Sequence, residues 1–242
     1  MKRISVIFVL TSIILAGCMY PQNELAKNQI PNEAQVNEVQ EAIDQYREDN
    51  DGLVPIRTKD SDVPKYEKYI VDLIALKDEH YISQIPGTSY ENGGQFQYVL
   101  VDPEETAQVK LIDLKLSDKL RELNREMQTY RSKGHYPPYG EQISKDIFQL
   151  DYKKMGLKEE PYVVSPFTQN NLPFVLHANG QIYIDYRMDI YEYYNEFKDE
   201  YNFEDDEDIR YILTEQSYFV PVYSLPYTWE DDEPQFNLEL SE

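Results

Sequence analysis

Cysteine occurs once in the 242 residues, as Cys18, directly after Leu15-Ala16-Gly17. A lone thiol closes no disulfide within the chain and has no second cysteine with which to form a redox pair or a metal site. Its surroundings fit acyl transfer instead. Lys2 and Arg3 open the chain, and an apolar run from Ile4 to Leu15 follows, broken only by Ser5, Thr11 and Ser12. That run is roughly 12 residues, where a spanning helix needs about 20, so residues 1–17 read as a cleaved signal peptide. Ala16 and Gly17 are small enough for a signal peptidase to grip the backbone, and the Cys18 thiol is the nucleophile that accepts diacylglycerol. Two acyl chains, at about 0.8 kcal/mol per buried CH₂, give a lasting hold. The expected partner at this end is therefore the membrane, through diacylglycerol on Cys18. The expected address is the extracytoplasmic face of the cell membrane.

The remaining residues of reactive type form no recognisable set. His80, His135 and His177 are the only histidines, and none stands three or four positions from another, the spacing a helical zinc site uses. Asp49-Asn50-Asp51-Gly52 has the outline of a calcium loop. With Gly52 as its sixth position, however, Arg47 falls at the first and Thr58 at the twelfth, where carboxylates are required. The acidic run Glu204 to Asp208 reads as a solvated charge run. There is no Gly-x-Ser-x-Gly elbow and no glycine-rich phosphate loop. With 45 acidic residues present, no pair of carboxylates singles itself out for glycoside hydrolysis. The expectation is a protein that is not an enzyme, with no catalytic residues, no metal and no cofactor.

Charge and aromatic content say more about partners. The formal net charge is −22. Loss of the leader, with Lys2 and Arg3, leaves 21 basic against 45 acidic residues, about −24. Such a field disfavours nucleic acid and anionic polymers and favours neutral or cationic partners. One stretch is relatively basic, with Lys119, Arg121, Arg125, Arg131 and Lys133 interleaved with Asp118, Glu122 and Glu126. It reads as a solvated helix face. Tyrosine is the compositional oddity: 22 residues, concentrated between Tyr183 and Tyr227. An exposed row could bind peptide or glycan, with Tyr211, Tyr218, Tyr223, Tyr227 and Trp229 as the binding candidates. The favoured reading is that these rings fill small cores and sheet edges.

The elements that must position these groups follow from periodicity. Asn32, with Gln35 three positions on, forms a capping box, and Val36, Val39, Ile43 and Tyr46 step by 3, 4 and 3 along one helix face. Asp51-Gly52 stops that helix. Leu120, Leu123, Met127 and Tyr130 repeat the step pattern 84 residues downstream, from a cap at Ser117 to a stop at Gly134. Two hairpins are expected: Phe96 to Val101 with Val109 to Leu116, and Pro173 to His177 with Gln181 to Met188 around Asn179-Gly180. Alternation along Ile182, Ile184, Tyr186 and Met188 predicts one buried sheet face. A third helix is expected from Asp189, burying Ile190, Tyr193, Phe197 and Tyr201, with a short one near Ile209 to Leu213. The Tyr- and Pro-rich stretch after Ser217 is expected on the edge of the second sheet, because Pro221 and Pro226 exclude a central strand.

Further parallels keep the same order in both halves: Gly52-Leu53-Val54-Pro55 with Gly134-His135-Tyr136-Pro137, Asp72-Leu73 with Asp151-Tyr152, and Tyr98-Val99-Leu100 with Phe174-Val175-Leu176. The offset between halves drifts only from 72 to 84 residues, which predicts an internal duplication. The expected fold is α+β: two tandem modules, each an amphipathic helix packed on a small antiparallel sheet with a terminal β-hairpin. The boundaries are a signal peptide over 1–17, lipidated Cys18 and tether over 18–31, and modules over 32–116 and 117–188. A C-terminal helix and Tyr/Pro-rich extension cover 189–229, and a frayed tail 230–242.

The helix ending at Tyr46 to Gly52, then Pro55, Tyr81-Ile82, Pro86 and Phe96-Gln97-Tyr98, resemble the globular part of a pseudopilin, without the long apolar helix that assembles a pilin. Over nearly its full length the chain resembles the YphF-type lipoproteins of spore-forming Gram-positive bacteria. The residues that carry this are Leu15-Ala16-Gly17-Cys18, Glu24 to Gln29, Leu150-Asp151-Tyr152-Lys153-Lys154 and Ser224-Leu225-Pro226-Tyr227-Thr228. That resemblance implies the anchor and assigns no activity. The expected function is an interaction or accessory role toward an unidentified envelope protein. The alternative is solute binding in a cleft between the modules.

Overall fold

The computed structural model describes residues 33–59, 63–204 and 207–240. The expected leader, Cys18, the tether and the Asn32 cap lie outside the described residues. Helix α1 (Glu33–Asp49) buries Val36, Val39, Ala42 and Ile43, the face its periodicity predicts. It stops where Gly52 adopts a left-handed φ of 86° and its N–H donates to the Arg47 carbonyl at 2.9 Å. Gln35 has a different role from the one expected of it. Its Oε1 accepts from the Thr88 N–H at 3.3 Å and from the Thr88 hydroxyl at 2.8 Å, pinning a long loop against the helix.

That loop belongs to the first sheet. Strand β1 (Ile56–Thr58) leads through α2 (Lys65–Lys68) into β2 (Tyr69–Val71), α3 (Leu73–Asp78), β3 (Phe96–Val101) and β4 (Gln108–Asp113). All neighbours pair antiparallel in the order β1-β2-β3-β4, with Tyr98 opposite Leu111. Helix α1 is tied across this sheet by Gln40, which accepts from the Val109 N–H at 2.7 Å and donates to the Ala107 carbonyl at 3.2 Å.

Helix α4 (Leu114–Arg131) begins without a loop. The Asp113 carboxylate, at the last position of β4, accepts from the Lys115 N–H at 2.9 Å and caps it. The expected cap, Ser117, lies inside the helix, where it shares a 2.8 Å hydrogen bond with the Tyr223 hydroxyl. The predicted face, Leu120, Leu123 and Met127, is buried together with Leu116. The second sheet comprises β5 (Tyr139–Ser144), β6 (Ile147–Leu150), β7 (Tyr162–Val164), β8 (Asn171–His177) and β9 (Ile182–Ile184). Here β5, β6, β8 and β9 pair antiparallel in that order, and β7 pairs with the start of β8. In both sheets a long helix precedes four strands laid side by side in rising chain order, and the second sheet adds β7, which falls between β6 and β8 in the chain. The architecture is α+β with small antiparallel sheets.

The second hairpin is shorter than expected. Its last strand ends at Ile184 because Asp185 turns back on Arg187, accepting from its backbone N–H at 3.1 Å and from its guanidinium at 2.7 to 3.1 Å. The turn launches α5 (Arg187–Phe197) two residues before Asp189. Tyr186 still faces the core, but Met188 is 48% exposed on the helix. Tyr201 lies beyond the end of α5 and not on its buried face.

After α6 (Tyr211–Glu215) the chain departs from expectation twice. Residues 217–223 do not rest on the second sheet alone. The Leu111 N–H of β4 donates to the Tyr218 carbonyl at 2.7 Å, the Val220 N–H returns to the Leu111 carbonyl at 3.1 Å, and the Ile184 N–H of β9 donates to the Tyr223 carbonyl at 2.8 Å. One segment thus joins the last strands of both sheets. Nor is the tail frayed through its described part. Strands β10 (Tyr227–Glu230) and β11 (Glu233–Phe236) form a hairpin around Asp231 and Asp232, both left-handed with φ of 51° and 62°. Phe236 packs on the Tyr227 ring at 5.0 Å, and the Arg187 guanidinium lies over Phe236 at 4.7 Å.

Candidate interaction surface

Helix α5 turns Ile190 into the core, and this leaves Tyr191 and Tyr194, three positions apart, together on another side. The hairpin brings Trp229 to both. Its ring lies 6.3 Å from Tyr191 at an interplanar angle of 12°, and 4.0 Å from Tyr194. The chain leaving α5 adds Phe203, 5.2 Å from Tyr194 and 5.5 Å from Trp229. Tyr201 and the first residue of α6, Tyr211, complete the group at 6.0 and 6.2 Å from Phe203. Tyr191 is 47% exposed and the other five rings are half-buried. Six rings from four stretches of chain therefore meet at the surface. Aromatic pairs at such distances favour one another modestly.

Carboxylates border the group. The Tyr201 hydroxyl donates to Glu215 at 2.9 Å and accepts from the Gln216 amide, which also reaches Glu200 at 3.3 Å. Burial pushes the Tyr201 phenol up to about 12, and the Glu215 and Glu200 charges add to this while the Gln216 bond opposes it. The Tyr211 phenol is raised as well, first by burial, then by the charges of Glu207 and Glu215. From Asp189 to Asp208 the sequence holds ten acidic residues and one basic residue, Lys198. Asp208 is held by Arg210 in a bidentate pair, and Asp189 is enclosed. Among the described residues, Glu200, Glu207 and Glu215 have no ion-pair partner.

The five rings singled out from sequence separate into two groups. Tyr211 and Trp229 meet in the patch. Tyr218, Tyr223 and Tyr227 do not: Tyr218 donates to Glu33 of α1 at 3.0 Å, and Tyr223 bonds Ser117. Tyr227 is wholly buried, its hydroxyl accepting from the Tyr186 N–H at 2.9 Å, and burial holds its phenol well above the ordinary value. The sequence reading missed Tyr191, Tyr194, Tyr201 and Phe203. The i, i+3 pair Tyr191 and Tyr194, off the Ile190 face, was the available signal.

Groups elsewhere serve packing. His135 stacks on Tyr130 at 4.7 Å, and His177 meets Tyr183 edge-on. No cluster of three or more metal-ligating side chains occurs among the described residues. Asp189, pushed up to about 7 by burial, accepts from the Ser165 hydroxyl at 2.6 Å and the Thr168 hydroxyl at 2.5 Å, fastening the 165–170 loop to α5. The buried Lys110 ammonium donates to the Thr214 and Ser217 carbonyls at 2.5 and 2.9 Å, and burial lowers its pKa to about 8. On α4, Arg121 pairs with Asp118 and Lys119 with Glu122. An open cleft of about 540 Å³ at the end of that helix is lined by residues of 128–137, including Arg131, His135 and Tyr136. It lies within one segment, not between the two sheets.

Residues 32–113 match the family model described as the YphF family N-terminal domain. The match runs from the start of α1 to the end of β4, so the first sheet and its helix are similar to that domain. No curated protein and no solved structure matches the chain.

Proposed function

We propose that this chain is a lipid-anchored, extracytoplasmic protein of the cell envelope whose folded body has a non-enzymatic interaction role. The aromatic patch carries the interaction reading. A soluble surface seldom gathers contiguous apolar area without a use for it, and rings that combine apolar area with few rotatable bonds are well suited to recognition. The anchor rests on the leader and the Leu15-Ala16-Gly17-Cys18 spacing. We read the two helix-and-sheet units as copies of one module, on the ordered sequence parallels and the shared strand order. The family match to the first unit supports treating it as a module. The finer likeness to YphF-type lipoproteins over the whole chain, and that of the first module to a pseudopilin, are part of the same proposal.

Two measurements test it. Metabolic labelling with a lipid precursor should mark the full chain and fail to mark Cys18→Ser, since an alcohol is too weak a nucleophile for the transfer; label persisting in the variant overturns the anchor. A pull-down from membranes that recovers no partner, combined with hydrolytic activity in the purified body, overturns the interaction role.

A further inference from the structure

Cations rest on aromatic faces in several places in this protein: Lys65 and Arg210 over Tyr66, Lys68 over Tyr69, Lys153 over Tyr152, and Arg187 over Phe236. Among the described residues, none lies over Tyr191, Tyr194, Tyr201, Phe203, Tyr211 or Trp229. The aromatic assembly that reaches the surface around Trp229 thus holds no cation, although its border is anionic. Ring faces carry negative potential, and a Trp face is the best cation acceptor among them. Glu200, Glu207 and Glu215 add charge that no ion pair within the described chain neutralises.

The shape favours a chain over an ion. A divalent metal needs several oxygens converging on one point, and no such cluster is present among the described residues. The rings instead connect one to the next: Tyr191 to Trp229, Trp229 to Phe203 and Phe203 to Tyr211 are steps of 6.3, 5.5 and 6.2 Å. The path is at most as long as about five residues of extended polypeptide. Resting on the interaction role proposed above, we infer that the patch binds a basic peptide segment of a partner protein. Its arginine or lysine side chains lie on the Tyr191 and Trp229 faces and against the carboxylates of Glu200, Glu207 and Glu215.

Trp229 is the only tryptophan, so intrinsic fluorescence reports on the patch directly. The full chain in neutral detergent is titrated with eight-residue peptides alternating glycine with arginine, glutamate or serine. The arginine peptide should change Trp229 emission saturably, with affinity falling at least about tenfold between about 50 and 500 mM salt, as the screening of several charge contacts requires. Tyr191→Ala should weaken binding at least about fivefold and Glu200→Gln/Glu207→Gln/Glu215→Gln about tenfold, as loss of cation–π and charge contacts requires. Asp118→Asn/Glu122→Gln/Glu126→Gln on α4 removes the same charge elsewhere and should change it less than about twofold. If the α4 variant weakens binding as much as the patch variant, the chain is acting as a general polyanion and the inference fails. It fails too if no arginine-dependent change occurs. A serine or glutamate peptide that binds in a Tyr191-dependent way overturns the basic ligand and leaves the interaction role standing.

Discussion

Residues 217–227 and the patch around Phe203 are built from the same aromatic vocabulary and use it in opposite ways. In the first region each tyrosine reaches a different element: Tyr218 to α1, Tyr223 to α4, Tyr227 to the turn between β9 and α5. The hydroxyl is the working group there, and the ring fills the space behind it. In the second region rings meet rings, and Tyr191 faces water. Buried hydroxyls with partners specify how parts of a fold dock. Rings that meet only other rings, as Tyr191 meets Trp229, contribute little to that and remain available to something else.

The comparison breaks first at Tyr227. Tyr227→Ala empties a fully buried site and strands the Tyr186 N–H, so unfolding free energy should fall by about 3–5 kcal/mol, read from urea denaturation. A loss below about 1 kcal/mol would mean the residue is not enclosed. Lys110 gives the next effect. Its folded pKa, about 8, is below the ordinary 10.5, so the unfolded chain holds the proton more tightly between those values. Stability should therefore rise as pH increases from 8 toward 10, by up to a few kcal/mol, and be lost again as pH falls through 8. Above 10 the raised tyrosines oppose this, because the unfolded chain loses phenol protons that the folded one keeps. Lys110→Met should flatten the rise between pH 8 and 10; a slope unchanged by the substitution assigns it to other groups. The smallest effects sharpen the contrast directly. Tyr223→Phe should cost about 1–2 kcal/mol through the bond to Ser117, whereas Tyr191→Ala, despite removing a whole ring, should cost under about 1 kcal/mol. Equal losses in thermal melts would erase the distinction between the regions.

Much of the framework was legible because hydrophobic spacing is a local signal. Val36, Val39 and Ile43, and Leu120, Leu123 and Met127, face inward as their steps predict. What was not legible depended on side chains that redirect the backbone. Asp113 caps α4 from inside a strand, one turn before Ser117, the cap-type residue nearest the apolar steps. Asp185 and Arg187 stop β9 while the alternation of apolar residues continues to Met188. The terminal hairpin turns on Asp231-Asp232, a pair that tolerates positive φ but lacks the glycine that usually announces such a turn. The patch escaped for a different reason. Its rings come from 191–203, 211 and 229; all but Trp229 lie in the tyrosine-dense stretch from Tyr183 to Tyr227, yet only Tyr211 and Trp229 are among the binding candidates. Helical phase at Tyr191 and Tyr194 carries the information, on a side of α5 away from buried Ile190.

The strand-like segment at 217–223 also sets a schedule. Strand β4 can pair with β3 as soon as both are synthesised, but its outer edge gains Tyr218 and Val220 only when residues more than a hundred positions later have appeared; Lys110 and Ser217 stand 107 apart. Until then an apolar strand has one row of open hydrogen-bonding groups, the kind of edge that recruits other chains. Contacts of such long separation also close slowly. A nascent or truncated chain ending before Tyr218 would therefore carry an unfinished edge on each sheet at once, at Leu111 and at Ile184. Arrival of the last tenth of the polypeptide is the event that makes the earlier parts safe from their neighbours.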